Sequence, residues 1–411
     1  MRLRVLILTF TYPPNKDGVA GASALMAEGL AARGHRVEVA TQWSPERRPP
    51  RDSDNPKIHQ FKVQGSANIR DPIRGEVAEM KRFIASFEGD IVFCHCLDSA
   101  PALLAISEFE KIQASKVLVS HGYAAHIIDW QRKFPWGLGG WLFWQPFLWR
   151  LPLLLRKFDR LVFLSHRADF GRFFDHRVAR LIRHRGIRII PNSVDWKETF
   201  LEPSGFLKQH HLEGRLLFLC VANYCERKNQ LLALRAYRQA RIPDSALVFV
   251  GSEFNDYSRR MTELDQQLAP TDPEGKVLLL ERLPRDTTQS LLQAMDVFVL
   301  SAKQETQPIV LLEAMALGKP FISTNTGCVS ELAGGIVVRS QREMIAQLQR
   351  IASDGELRIK LGAEGKKDFL AGHRKEVVIE AFASLISEMD VKGCPRVSSA
   401  VRLPPFVFFS I

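Results

Sequence analysis

Two carboxylates eight positions apart, Glu305 and Glu313, stand in the run Glu305-Thr306-Gln307-Pro308-Ile309-Val310-Leu311-Leu312-Glu313-Ala314-Met315-Ala316-Leu317-Gly318-Lys319-Pro320. An ionised carboxylate is an acceptor-only group, so each could take hydrogen bonds from the hydroxyls of a sugar. The spacing also permits a plainer reading, in which Glu313 is a solvated acid favouring the positive end of a helix. A glycine-containing loop, Tyr12 to Gly21, places Gly18 near the start of a helix, where backbone amides could meet a phosphate. It is not the full G-x-G-x-x-G fingerprint, and a turn uses glycine in any case. Cys94-His95-Cys96 has ligand chemistry, but no second ligand pair follows at finger spacing, so no metal is expected.

The elements that must position these residues are legible as an alternation. Short apolar runs read as strands at Arg4 to Thr9, Arg36 to Thr41, Asp90 to Cys94, Lys116 to Ser120, Arg160 to Leu164 and Ile187 to Ile190. Between the first two lies the helical stretch Gly21 to Arg33, closed by Gly34. The same grammar restarts with strands at Leu216 to Val221, Leu247 to Val250, Val277 to Leu280, Val297 to Leu300 and Pro320 to Ser323, and helices at Gln230 to Ala240 and Glu313 to Leu317. The expected fold class is therefore α/β: two doubly wound domains facing each other across a cleft, with the break near Phe200 to Gly214. Ligands in such sheets bind outside the carboxyl ends of the strands, and Glu305 falls in a loop at such an end.

The chain has 411 residues, 46% hydrophobic and 25% charged, which suits two or three globular domains and excludes global disorder, collagen and coiled coil. Six scattered cysteines make no disulfide framework, and the expected compartment is reducing and cytoplasmic. The apolar start, Val5 to Phe10, is too short for a signal segment and reads as a buried strand. The net charge of +11 is concentrated: residues 130–188 hold 13 Lys and Arg against 3 acids. Five of the seven tryptophans, at 130, 136, 141, 144 and 149, fall between Trp130 and Leu155, a span too interrupted to cross a bilayer. Tryptophan beside arginine suits an anionic membrane surface, placing the first domain on the inner face of the cell membrane near a lipid-linked acceptor. The alternative is that these aromatics are core or pocket wall. Nucleic acid is not expected, because no recognised nucleic-acid module accompanies the charge. Residues 391–411 form a tail with no assigned role.

Several motifs then fall in one order along the chain. The Glu305 to Glu313 run is similar to the E-x7-E motif of glycosyltransferase family 4, retaining enzymes of the GT-B fold, which pairs two Rossmann-like domains. Arg33-Gly34-His35 resembles that family's R-G-H, and Ile190-Pro191-Asn192-Ser193-Val194-Asp195 its P-N-G-V-D. Ala222-Asn223-Tyr224-Cys225-Glu226-Arg227-Lys228-Asn229 resembles its G-R-L-x-x-x-K-G, and Thr326-Gly327-Cys328-Val329-Ser330-Glu331 its G-G-x-x-E. The resemblance implies a domain of residues 1–200 for the acceptor, one of 213–375 for the nucleotide-sugar, and a closing helix over 376–390.

It also implies roles. His121 would stand beside the reacting centre, Lys228 would bind the donor diphosphate, Glu305 the donor sugar and Glu313 the ribose. Gly18, Asn223 and Arg227 would complete the donor site, with Gln307, Pro308 and Ile309 offering backbone amides near the diphosphate. Asn223 departs from the family by replacing a charged arginine, with Arg227 or another arginine as the compensation, or else weak turnover, and Ser193 and Cys328 replace glycines. The implied reaction moves a sugar from a nucleotide-sugar to an acceptor hydroxyl of a glycan or lipid-linked precursor, with retention and without a metal or a further cofactor. A GT-B epimerase or phosphorylase, or a catalytically silent nucleotide-sugar-binding or scaffold protein, stays open as an alternative.

Overall fold

The computed structural model describes residues 2–15, 17–122, 141–169, 171–196, 204–269 and 275–390. Trp130, Trp136, part of the break between the two blocks and the tail from Val391 lie outside the described residues.

The first sheet has seven parallel strands: β1 (Arg4–Leu8), β2 (Arg36–Gln42), β3 (Lys57–Phe61), β4 (Ile91–His95), β5 (Ser115–Val119), β6 (Arg160–Phe163) and β7 (Ile187–Ile189). Their spatial order is β3-β2-β1-β4-β5-β6-β7. The second has six: β8 (Leu216–Val221), β9 (Ser245–Gly251), β10 (Lys276–Glu281), β11 (Val297–Leu300), β12 (Phe321–Thr324) and β13 (Gly335–Val338), in the order β10-β9-β8-β11-β12-β13. Both orders reverse direction beside their first strand, the doubly wound pattern of a Rossmann-like domain. Leu8 pairs with Ala40 on one side and Cys94 on the other, so the central strands end level and their following loops share one edge. Helices cover both faces, which is why the central strands read as unbroken apolar runs.

Two strands of these sheets, β3 and β13, escaped the sequence reading, as did the short separate pair Val63–Gln64 and Arg74–Gly75. β3 and β13 are both edge strands. Lys57-Ile58-His59-Gln60-Phe61 is half-buried along its whole length and mostly polar, and Gly335-Ile336-Val337-Val338 is short and opens on glycine. Two helices start earlier than expected, at Gly18 and at Ile309, because their N-terminal turns lack a hydrophobic stripe.

The basic, aromatic segment divides by face. In helix α1 (Gln145–Leu155), Phe147, Leu151 and Leu155 are buried at helical spacing, whereas Trp149 is 80% exposed and Leu153 45%. Core and surface readings each describe one side of the same helix.

The last helix, α2 (Lys375–Asp390), follows the second sheet in sequence but packs on the first. Phe382 meets Phe93 edge-on at 6.0 Å between ring centroids, and Val378, Leu385 and Ile386 join the cluster around Val5 and Ile7. A β-carbon at Gly29, on the helix Gly18–Ala32 beneath it, would come within 2.4 Å of Ile379, so only glycine allows this approach. Ion pairs Arg33–Glu380 at 2.6 Å and Arg188–Glu388 at 2.5 Å flank the seam. The chain crosses between sheets at two adjacent segments, joined by Val194 N to His373 O at 3.4 Å and by Lys375 Nζ to Asp195 Oδ2 at 2.9 Å. Truncating Phe382 to Ala is expected to cost about 3 kcal/mol through lost burial and a residual cavity, read as a shift in the denaturant midpoint. An unchanged midpoint would show that the last helix is not docked.

Candidate active site

The second sheet presents its carboxylates and cations on the loops after β8, β11 and β12. After β8 the chain makes a tight turn, with Lys228 N bonded to Cys225 O at 3.0 Å and Asn229 in the left-handed region. Gln230 pins this turn by donating to the carbonyls of Ala222 and Asn223. The turn aims Lys228 Nζ at Glu305 Oε1, 2.5 Å away, and Arg227 Nη1 lies 3.3 Å from the same oxygen. The Lys228 side chain is only 17% exposed, so it is not the solvated lysine that its position before a helix permits. Glu305 is held from behind, its amide donating to Thr326 Oγ1 at 2.8 Å. Gly327 sits at φ +53, where a β-carbon would strike the carbonyls of Thr306 and Glu305, so that glycine lets the two loops touch.

Glu313 is buried, not solvated. It points from the helix Ile309–Ala316 toward Arg285, whose Nη2 is 2.5 Å away. Of Gln307-Pro308-Ile309, Pro308 can offer no amide, because proline has no N–H and it is the cap residue of that helix, which leaves the amides of Gln307 and Ile309. Gln307 also reaches across the cleft, its Oε1 accepting from Asn192 N at 2.6 Å. Asn223 is exposed, and its carbonyl is the group that Gln230 holds. The D-x-D triplet Asp52-Ser53-Asp54, which the sequence reading passed over, has its carboxylates on Lys57 and Arg48.

The first sheet brings its own groups to the facing edge. His121 follows β5, and its Nε2 is hydrogen-bonded to His95 Nδ1 at 2.9 Å, the rings stacked within 20°. A small cavity of about 20 Å³ behind the pair is lined by Met26 and by Phe382 of the last helix. Ser120, just before His121, donates to the buried carboxylate of Asp175 and accepts from Gly122 N at 3.2 Å, which fixes the loop. Gly122 lies at φ +88 against Thr306 of the other domain, where a β-carbon would clash, whereas one at Gly18 would make only ordinary contact with Ile309, at 3.5 Å. At the helix start beside Gly18, the amides of Val19 and Ala20 are taken by the Asp17 carboxylate, so that end is already capped.

The cleft is bridged by residues that the sequence reading did not single out. Ser165 donates to Glu331 at 2.8 Å, Arg167 donates to the Gly327 carbonyl, and Arg172 Nη2 donates to Gln304 Oε1 at 3.0 Å. All three come from the loop after β6. That loop lies inside the basic segment, whose composition flagged it without saying which arginine turns inward.

Burial pushes His121 down to about 4, so the imidazole is neutral near pH 7 and offers hydrogen bonds, not charge. His95 is shifted in the same direction by burial and by His121. A histidine held neutral in the folded chain but titrating near 6.5 when unfolded contributes stability that is fully present above pH 6.5 and lost as pH falls toward 4. Asp175, raised to about 6 by burial, acts oppositely, its contribution present at low pH and lost as pH rises through 6. His121→Gln removes the first effect and keeps the second. Its melting temperature is therefore expected to fall less than wild type between pH 6.5 and 4, and parallel profiles would refute a buried neutral imidazole.

Comparison with known proteins bears on the family and the fold. Residues 17–198 match the family model "Glycosyltransferase Family 4", and residues 206–368 match "Glycosyl transferases group 1". The amylovoran biosynthesis glycosyltransferase AmsK of Erwinia amylovora is 24% identical over 48% of this chain and 53% of its own length. The Escherichia coli UDP-Gal:alpha-D-GlcNAc-diphosphoundecaprenol alpha-1,3-galactosyltransferase is 32% identical over 34% of this chain and 36% of its own. The chain thus spans about half the length of the first curated relative and about a third of the second. Sucrose-phosphate synthase from Thermosynechococcus elongatus superposes with a TM-score of 0.73 at 17% identity, covering 95% of this chain and 100% of that one. Anabaena HepE in complex with UDP-glucose superposes with a TM-score of 0.65 at 15% identity, covering 94% and 100%. With matches across both halves and two facing Rossmann-like sheets, the chain belongs to the group 1, family 4 glycosyltransferases and has the GT-B fold.

Proposed function

We propose that the protein is a retaining glycosyltransferase that moves a sugar from a nucleotide-sugar to an acceptor hydroxyl. The division of labour gives residues 1–200 the acceptor and residues 213–375 the donor, with the helix of residues 376–390 closing the molecule. The observation that carries this reading is the contact of Lys228 and Arg227 with Glu305 at the carboxyl edge of one sheet, opposite His121 and Gly122 on the other. Without a ligand, the cations and the carboxylate satisfy each other. An entering diphosphate takes over the cations, and Glu305 is released to accept from sugar hydroxyls. Glu313, bonded to Arg285, is positioned to do the same for a ribose.

Chemistry follows from that exchange. The acceptor oxygen bonds to the anomeric carbon on the face from which the diphosphate leaves, the bond from that carbon to the diphosphate breaks with its electron pair going to the nucleoside diphosphate, and the acceptor's hydroxyl proton passes to a departing phosphate oxygen, which leaves the anomeric configuration retained. Preorganised cations aimed at the departing charge stabilise it without reorganising at the moment of reaction. A neutral His121 adds a hydrogen bond beside the sugar. HepE's complex with UDP-glucose favours nucleotide-sugars of that kind among the donors to be tried, and the E. coli relative's diphosphoundecaprenol acceptor favours a lipid-linked or cell-surface glycan precursor.

The exposed side of α1 supports the membrane part of the proposal. Trp149 and Leu153 project beside the exposed Arg150, Arg156 and Lys157, an apolar anchor framed by cations. Among the described residues no helix is long and apolar enough to cross a membrane. The proposal is of peripheral attachment on the cytoplasmic face.

Two experiments test these readings. Lys228→Ala and Glu305→Ala are each expected to slow transfer at least tenfold, about 1.4 kcal/mol, with a donor found by a thermal-shift panel of UDP-, GDP- and ADP-sugars. Wild-type rates in both variants would refute the assignment, and donor binding without turnover on any acceptor would favour a silent binding protein. In flotation assays the protein is expected to rise with anionic vesicles and Trp149→Ala to rise less; no binding of wild type to anionic or neutral vesicles removes the membrane reading.

A further inference from the structure

Positive charge gathers in the cleft. Lys228 and Arg227 share one oxygen of Glu305, and a third cation, Arg172, enters from the loop after β6 of the opposite sheet. Gln304 joins the two sides, its side-chain oxygen accepting from Arg172 at 3.0 Å and its backbone carbonyl from Arg227 at 3.3 Å. Two neighbouring acids are paired elsewhere, Glu226 with Arg260 at 2.5 Å and Asp169 with Arg167 at 2.9 Å, while Glu331 accepts from the neutral Ser165 at 2.8 Å. Asn223 is uncharged and adds nothing. Three cations therefore gather about one carboxylate, Glu305.

Arg172 itself is only partly satisfied. Its Nε is buried and has no hydrogen-bond partner among the described residues, although a guanidinium carries five donors in a fixed fork. Burial first, and the charge of Arg227 second, press its pKa below the ordinary value, while Glu305 pulls the other way. A guanidinium held near a like charge, with a spare donor and a neutral amide as its partner, is poised for a ligand bearing two or more negative charges. Phosphate oxygens match the fork geometry.

We infer that Arg172 is the third cation of the donor-diphosphate site, reaching across the cleft from the acceptor-side sheet to the same diphosphate that Lys228 and Arg227 hold from the other side. This rests on the donor reading above.

The test is calorimetric titration of wild type, Arg172→Ala and Arg172→Lys with UDP, GDP and ADP and with the corresponding monophosphates, each variant first matched to wild type in melting temperature. Wild type is expected to bind at least one diphosphate, Arg172→Ala to bind it at least tenfold more weakly, and Arg172→Lys to recover part of the loss. The preference for diphosphate over monophosphate should shrink in Arg172→Ala, which a merely structural arginine would not cause. Should Arg172→Ala fail to fold, a tenfold loss in Arg172→Lys with the same shrunken preference supports the assignment, and unchanged binding in Arg172→Lys overturns it. Equal binding by wild type and Arg172→Ala overturns the role of Arg172 and leaves the donor reading standing. If wild type binds none of the three diphosphates, the donor reading falls, and this inference falls with it.

Discussion

The arrangement of this molecule depends on one packing contact, the burial of the last helix, Lys375–Asp390, against the first sheet. The helix follows the second sheet in sequence, so burying Phe382, Leu385 and Ile386 among Val5, Ile7 and Phe93 obliges the chain to cross between domains twice. Two adjacent crossings restrain relative motion more than one linker would. The same contact reaches the chemistry, because Phe382 lines the small cavity behind His95 and His121. Removal of apolar surface from water at the back of the domain thus supports the polar groups at its front.

Electrostatics sets the character of the cleft. Parallel sheets send their loops out at one edge, so two such sheets held edge to edge bring charged loops together. Here the charges are arranged in advance. Lys228 and Arg227 hold Glu305, and Arg285 holds Glu313, so neither carboxylate waits unpaired. The glycines at 122 and 327 allow backbone from opposite or adjacent loops to pass at distances a side chain would forbid. An anionic ligand in this setting exchanges partners within a charged network and need not assemble one from solvent.

How much was legible in the sequence follows from how local each feature is. The central strands of both sheets announced themselves because strands buried on both faces must be continuously apolar. The edge strand Lys57–Phe61 did not, since a strand with one neighbour and a half-exposed surface needs no such run. The motif residues could be named from chemistry and resemblance, but their partners could not. Lys228 and Glu305 are 77 positions apart, and nothing in either segment states that they touch. Arg172 was hidden among thirteen basic residues whose composition is alike and whose orientations differ.

The sequence by itself determined the alternation of strand and helix, the break into two blocks and the order of the motif residues, because these depend on periodicity and on residues close together along the chain. Only the tertiary structure decided which domain the last helix joins, which side of the helix Gln145–Leu155 faces out, and which cations surround Glu305. Those outcomes depend on contacts between distant segments, where the energy of burial and pairing is set by positions in space that no local pattern encodes.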